Sequence, residues 1–256
     1  FVQRVVLNWP KDAEALVEQI AALHQQNCLD VVLPCLNDDI PMFCEAEPSL
    51  GSLGVATLLP PLEGVRARAK PSLPAFAKRL GLSCPKTAVC MSVAEAREAI
   101  HQIGLPCVIK GAECGVFPVN NADAADHFLA RCTESFGFPV LVQGWIEGEE
   151  FSLFGLATRN TELRCVVAAK KIGIADDGET WMSVTVESIG FVDYAKAYVR
   201  ELRWIGPFEL DIVQADGRRY LLDVNPRFPA WIDRLIGCGL NAPDLSALMA
   251  LGQEPI

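Results

Sequence analysis

The chain of 256 residues is 51% hydrophobic and 21% charged, the composition of a compact globular protein long enough to bury a substantial core. Its formal net charge of -10 repels phosphate backbones, so nucleic acid is not expected as a partner, and any phosphate it holds must meet local cations. Without an apolar run long enough to cross a bilayer, and with ten cysteines dispersed without a CxxC pair, a soluble cytoplasmic protein with reduced thiols and no membrane partner is expected.

The chain opens on Phe1 rather than Met, and FVQRVVLNWPKD lacks a cleavage pattern, so a missing native start is expected. Asp12 suits the cap of a helix over DAEALVEQIAALHQQN, where Leu16, Ile20 and Leu23 fall at helical spacing. DVVLPCL reads as a short buried strand of parallel type, and NDDIPMFCEAEPSLGSLG as a loop and helix. The Pro-rich passage LLPPLEGVRARAKPSLP marks a boundary near residue 65.

A short helix over SLPAFAKRLG stops at Gly81, TAVCM follows as a strand, and SVAE has capping-box spacing for a helix through Ile103 that Gly104 closes. PCVIKG is a buried strand ending in Lys110, and NNADAADHFLARC is a helix. PVLVQGWIEGEEFSLFGLA gives two strands broken at Glu147-Gly148, with Trp145 expected as core packing. LRCVVAAKKI and ETWMSVTVES are strands, FVDYAKAYVRELRW is a helix, and PAWIDRLIGCG and APDLSALMALG end the chain as helices. This order is α+β with an α/β front piece.

The segment GPFELDIVQADGRRYLLDVNPRFPAW forms two strands joined at Asp216-Gly217. A bare two-residue turn would send Asp211 and Asp223 to opposite faces, because side chains alternate. A three-residue loop of Ala215, Asp216 and Gly217 changes the parity and places Glu209, Asp211, Asp223 and Asn225 on one face. Acids crowded in that way repel unless a hard divalent cation sits among them, and oxygen donors without His or Cys suit Mg²⁺ or Mn²⁺ rather than zinc. The same spacing also fits an exposed hairpin with its acids in water, against which stand Leu210, Ile212, Tyr220, Leu221 and Leu222.

Lys70 after the Pro-rich boundary, Lys110 at a strand end, VQGWIEGEEF and the acidic hairpin with NPR occur in an order that resembles the ATP-grasp superfamily. The likeness is to ligases similar to carbamoyl phosphate synthetase domains and D-alanyl-alanine ligase, over roughly residues 66 to 252. It implies two α+β subdomains enclosing ATP, at 66–145 and 146–256, preceded by a partial Rossmann-like α/β domain at 1–65. It also implies that Lys70 and Lys110 contact phosphates, although Lys70 fits a surface lysine equally well on sequence alone. Gln143 would meet the adenine amino group, the Ile146 backbone the purine edge, and Glu150 the ribose hydroxyls. Asp211, Asp223 and Asn225 fall on the metal ligands, with Glu209 behind them, and Arg227 faces the reacting carboxylate or phosphoryl group. One of Lys170 and Lys171 would reach the γ-phosphate, since alternation turns only one inward.

The resemblance implies ATP-dependent ligation of a small carboxylate, amino-acid or peptide-like, through an acyl phosphate captured by an amine or other nucleophile, with ATP and Mg²⁺ or Mn²⁺ as cofactors. GAECGVFP departs from the glycine-rich phosphate loop of such enzymes, which keeps open a sensor or regulatory protein of the same fold. A doubly wound NAD(P) enzyme is disfavoured because no GxGxxG fingerprint occurs. A homodimer is expected from the frequency of two-fold assemblies alone.

Overall fold

The computed structural model describes residues 4–67, 70–111, 115–174 and 180–253. The GAECGVFP departure turns on residues 112–114, which lie outside the described residues. The front of the chain packs helix α1 (Ala13–Asn27), with Asp12 accepting from the Ala15 N–H at 2.9 Å, against α2 (Ile40–Ser52). Leu16 and Ile20 on α1 meet Phe43, Ala46 and Leu50 on α2 in a small core of their own. The strand expected over DVVLPCL is reduced to a single parallel bridge between Val31 and Ala56. Pro34 has no N–H to donate, and among the described residues no second strand lies alongside, so the Rossmann-like expectation rests on that bridge alone. The Pro-rich passage holds a further short helix, α3 (Leu62–Ala67).

Helix α4 (Leu73–Arg79) leads into a four-stranded antiparallel sheet ordered β1 (Thr87–Cys90), β4 (Val140–Gly144), β2 (Cys107–Gly111), β3 (Val116–Val119). The glycine-poor segment GAECGVFP therefore contains the start of a strand, paired with β2. Helices α5 (Val93–Ile103) and α6 (Ala122–Phe136) cover one face of this sheet, burying Cys107, Ile109, Val140 and Val142 with Ala96, Leu129 and Cys132. Ser92 accepts from the Glu95 N–H at 3.2 Å, and Glu95 answers one residue early, at the Met91 N–H, 2.8 Å away.

The second sheet is also antiparallel, ordered β7 (Thr180–Val186), β6 (Leu163–Ile174), β5 (Glu149–Ala157), β8 (Gly206–Ala215), β9 (Arg218–Asn225). Helix α7 (Val192–Leu202) and α4 pack on one face, where Tyr198, Phe208 and Trp204 form the centre of the largest core. The opposite face is apolar at one end, where Phe154 and Leu156 meet α8 (Ile232–Gly237) and α9 (Ala242–Ala250). At its other end that face turns polar, and there the cleft begins. The described cysteines are free thiols. Among the described residues no helix is long and apolar enough to cross a membrane.

Candidate active site

The hairpin parity is set by a different device from the one expected. Ala215 pairs with Arg218, so the turn has two residues, and positive φ at Asp216 (49°) and Gly217 (71°) gives the twist that two-residue hairpins favour. Left alone, that turn would carry Asp223 to the face that buries Leu221. A bulge corrects this: the register steps from Ile212↔Leu221 to Asp211↔Asp223, leaving Leu222 as the extra residue. Asp223 then shares a face with Asp211, Glu209 and Asn225, while Val224 returns to the core beside Leu221. The bulge also frees a carbonyl, and Leu222 O accepts from Lys110 Nζ at 3.3 Å.

Alternation along β6 separates the two lysines. Lys170 is the register partner of Phe151, which belongs to the α7 core, and its ammonium pairs with Glu149 at the surface. Lys171 faces the other way, with a side chain 9% exposed, 2.8 Å from Asp211 Oδ1 and 3.8 Å from Glu150 Oε2. Burial alone would lower the Lys171 ammonium, but the Asp211 carboxylate, joined by Glu150 and Glu209, outweighs it and holds the group above the ordinary lysine range. Asp211 answers in kind: burial pushes its carboxyl up, and Lys171 with the Ser152 hydroxyl at 2.8 Å brings it below the ordinary value. Burial raises Glu150, with Lys171 opposing.

Lys70 lies in a 3-10 turn, Lys70–Ser72, buried rather than at the surface, with Nζ 3.8 Å from Asp223 Oδ2. Lys110 is buried as well, and burial lowers its ammonium against the pull of Asp223. Glu209 is buried: Trp231 Nε1 donates to Oε1 at 2.8 Å and Arg227 donates to Oε2 at 3.1 Å. Burial first, and then the nearby Asp211, raise its carboxyl. Asn225 donates to Glu209 at 3.4 Å and accepts from Asn37 Nδ2 at 2.9 Å.

These side chains line one cleft of about 1320 Å³ between the two sheets, which also takes in Gln143, Ile146, Phe128 and Val108. Trp145 departs from the expected core role, being 44% exposed at the cleft wall. It follows the end of β4, at the edge of the cleft. Lys70, Lys110, Lys171, Arg227, Asp211, Asp223, Asn225, Gln143, Ile146 and Glu150 thus share one cavity. Lys170 reaches only its rim, paired with Glu149.

Sequence reasoning passed over Ser152, Trp231, Thr87 and Asn37. Ser152 sits two residues after Glu150 on the same strand face, a spacing that would have found it. Asn37 carries no local signal, since it lies in a loop 188 residues from its partner Asn225.

Among the described residues no three His, Cys, Asp or Glu side chains converge as a metal cage, because Glu209 is turned to Arg227 and Trp231. Asp211 and Asp223 are direct cross-strand neighbours, a placement that repels unless cations stand between them. Two opposed carboxylates fit a Mg²⁺ ion whose remaining ligands are phosphate oxygens and water, which is how that ion is usually held.

The model of the ATP-grasp domain family matches residues 71–230. The arginine-specific large chain of carbamoyl phosphate synthase from Geobacillus stearothermophilus is 26% identical over 140 residues, 49% of this chain and 13% of that one. An L-amino acid ligase from Bacillus licheniformis superposes with a TM-score of 0.73 at 17% identity, over 94% of this chain and 61% of the other. The biotin carboxylase domain of a 2-oxoglutarate carboxylase from Hydrogenobacter thermophilus, solved with MgADP and bicarbonate, gives 0.76 at 14% identity, over 98% and 60%. The chain spans about three-fifths of each of these two structures, and at these identities the likeness speaks to fold.

Proposed function

The chain belongs to the ATP-grasp domain family, and from that premise we propose that it is an ATP-dependent ligase that activates a small carboxylate for capture by an amine or another nucleophile. The observation that carries the reading is the gathering of Lys70, Lys110 and Lys171 with the opposed Asp211 and Asp223 in one cleft of an acidic protein. Such a protein needs point cations to hold a triphosphate and carboxylates to hold its metal.

In this reading Gln143, the Ile146 backbone and Glu150 hold adenine and ribose, and Lys70 and Lys110 hold phosphates. Lys171 supports the γ-phosphate and orients Asp211, while Lys170 is set aside as a rim residue. Asp211, Asp223 and Asn225 hold Mg²⁺, whose contribution is to neutralise charge on the phosphate oxygens. Arg227, fixed by Glu209, orients the substrate carboxylate so that its oxygen attacks the γ-phosphate in line with ADP leaving, and the acceptor then attacks the acyl carbon of the acyl phosphate with inorganic phosphate leaving. An amino acid is the carboxylate proposed, by analogy with the L-amino acid ligase among the similar structures.

The test is ADP release from MgATP with a panel of amino acids and small carboxylates. Stimulation by at least one of them, abolished in Asp223→Ala with the fold retained, is expected. Tight ATP binding without stimulated release would point instead to a nucleotide sensor of the same fold.

A further inference from the structure

A carboxamide in a binding cleft has a donor end and an acceptor end, and which of them meets the ligand decides what the ligand must carry. Gln143 is 3% exposed on β4, in register with Thr87 on one side and Val108 on the other. Its orientation follows from a short relay. Pro85 O can only accept and lies 2.9 Å from Thr87 Oγ1, whereas the Cys84 thiol, a weak partner that can itself donate, lies 3.9 Å away, so the single hydroxyl proton goes to the carbonyl. The Thr87 oxygen is then an acceptor toward Gln143, and it takes the amide Nε2–H at 3.0 Å. An amide turned the other way would set its carbonyl oxygen against hydroxyl lone pairs. Oε1 is therefore the end left for the cleft that Gln143 lines.

We propose that Thr87 is a positioning residue that locks Gln143 as an acceptor, so that the cleft selects a purine with an exocyclic amino group at position 6 over one with a 6-oxo group. This rests on the reading of the cleft as a nucleotide site. An oxo group would face Oε1 with no proton between them, and a buried acceptor left unpaired is costly, whereas a freely turning amide would pair with either base.

The experiment is calorimetric titration of the full chain with MgATP and MgITP, which differ at that position. The unmodified protein is expected to bind ATP about tenfold or more tightly than ITP. Thr87→Val keeps the shape of the side chain and removes the lock, so the ratio falls by about tenfold. Thr87→Ser keeps the hydroxyl and the ratio. Adding Gln143→Glu to Thr87→Val restores the ratio, because a carboxylate has no donor end to turn inward, a rescue that a merely structural threonine would not allow. Thr87→Ala serves in place of Thr87→Val should the latter fail to fold. An unchanged ratio in the folded Thr87→Val or Thr87→Ala protein would overturn the inference alone. Failure of the unmodified protein to bind either nucleotide would overturn the nucleotide reading and the inference with it.

Discussion

Replacing Lys171 with Met removes the ammonium 2.8 Å from Asp211 Oδ1 and leaves that carboxylate beside Glu150 and Glu209 without its main counter-charge. Coulomb's law at an effective dielectric of about 20 gives a gross attraction of about 6 kcal/mol at that separation. Part of it offsets the cost of withdrawing both charges from water, and breaking one side of a buried pair typically destabilises by about 3–5 kcal/mol. Lys170→Met is the internal control. Its pair with Glu149 is 36% and 55% exposed, and surface pairs contribute about 1 kcal/mol or less. The assay is urea unfolding followed by tryptophan fluorescence, with and without excess Mg²⁺. Lys171→Met is expected to lose about 3–5 kcal/mol, part of it recovered by Mg²⁺ as a divalent cation takes the place of the missing charge between Asp211 and Asp223. Equal losses in the two variants, or a Lys171→Met protein as stable as the parent, would refute the assignment of Lys171 to the inner face and the electrostatic account of the cleft.

Other expectations follow from separate parts of the molecule. The Arg159 guanidinium donates to the carbonyls of Thr57, Met249 and Ala250, tying the front of the chain to the end of α9, so Arg159→Met should cost about 2 kcal/mol in thermal unfolding. A Cβ at Gly148 would meet Gln214 O at 2.4 Å, a backbone atom that cannot step aside, so Gly148→Ala should destabilise by about 1–3 kcal/mol and weaken nucleotide affinity by moving the β4–β5 turn. Burial, reinforced by Glu47 and Glu45, pushes the Cys44 thiol up from 9.0 to about 12. The unfolded thiol ionises first, so the contribution of Cys44 to stability is whole below about pH 9 and is lost as pH rises toward 12. Melting temperatures across that range should therefore fall less steeply for Cys44→Ala than for the parent.

The helices were legible because their signals are local. Asp12, Ser92 and Gly104 stand where caps are needed, and apolar residues recur at the helical period behind them. Strands β4 to β9 were legible from apolar runs and breaks at Gly148 and Gly217. The front strand was misread because a short apolar run such as VVLPCL says nothing about whether a partner strand lies beside it, and among the described residues only Ala56 does. Trp145 was misread for a related reason: size and hydrophobicity predict burial on average, but a residue just past a strand end takes its exposure from what lies across the cleft.

The hairpin shows where the division falls. That two strands meet at Asp216-Gly217, and that Glu209, Asp211, Asp223 and Asn225 could share a face, was readable from neighbouring residues, because alternation and turn chemistry are local properties. How they come to share it was not. A bulge at Leu222, rather than a longer loop, resets the parity, and its extra carbonyl meets a lysine from the other sheet. The choice between Lys170 and Lys171, the burial of Lys70, and the bond from Asn37 to Asn225 likewise belong to the tertiary structure alone. Each depends on the register of one strand against another or on contacts between segments distant in the chain, and such contacts leave no trace in local spacing.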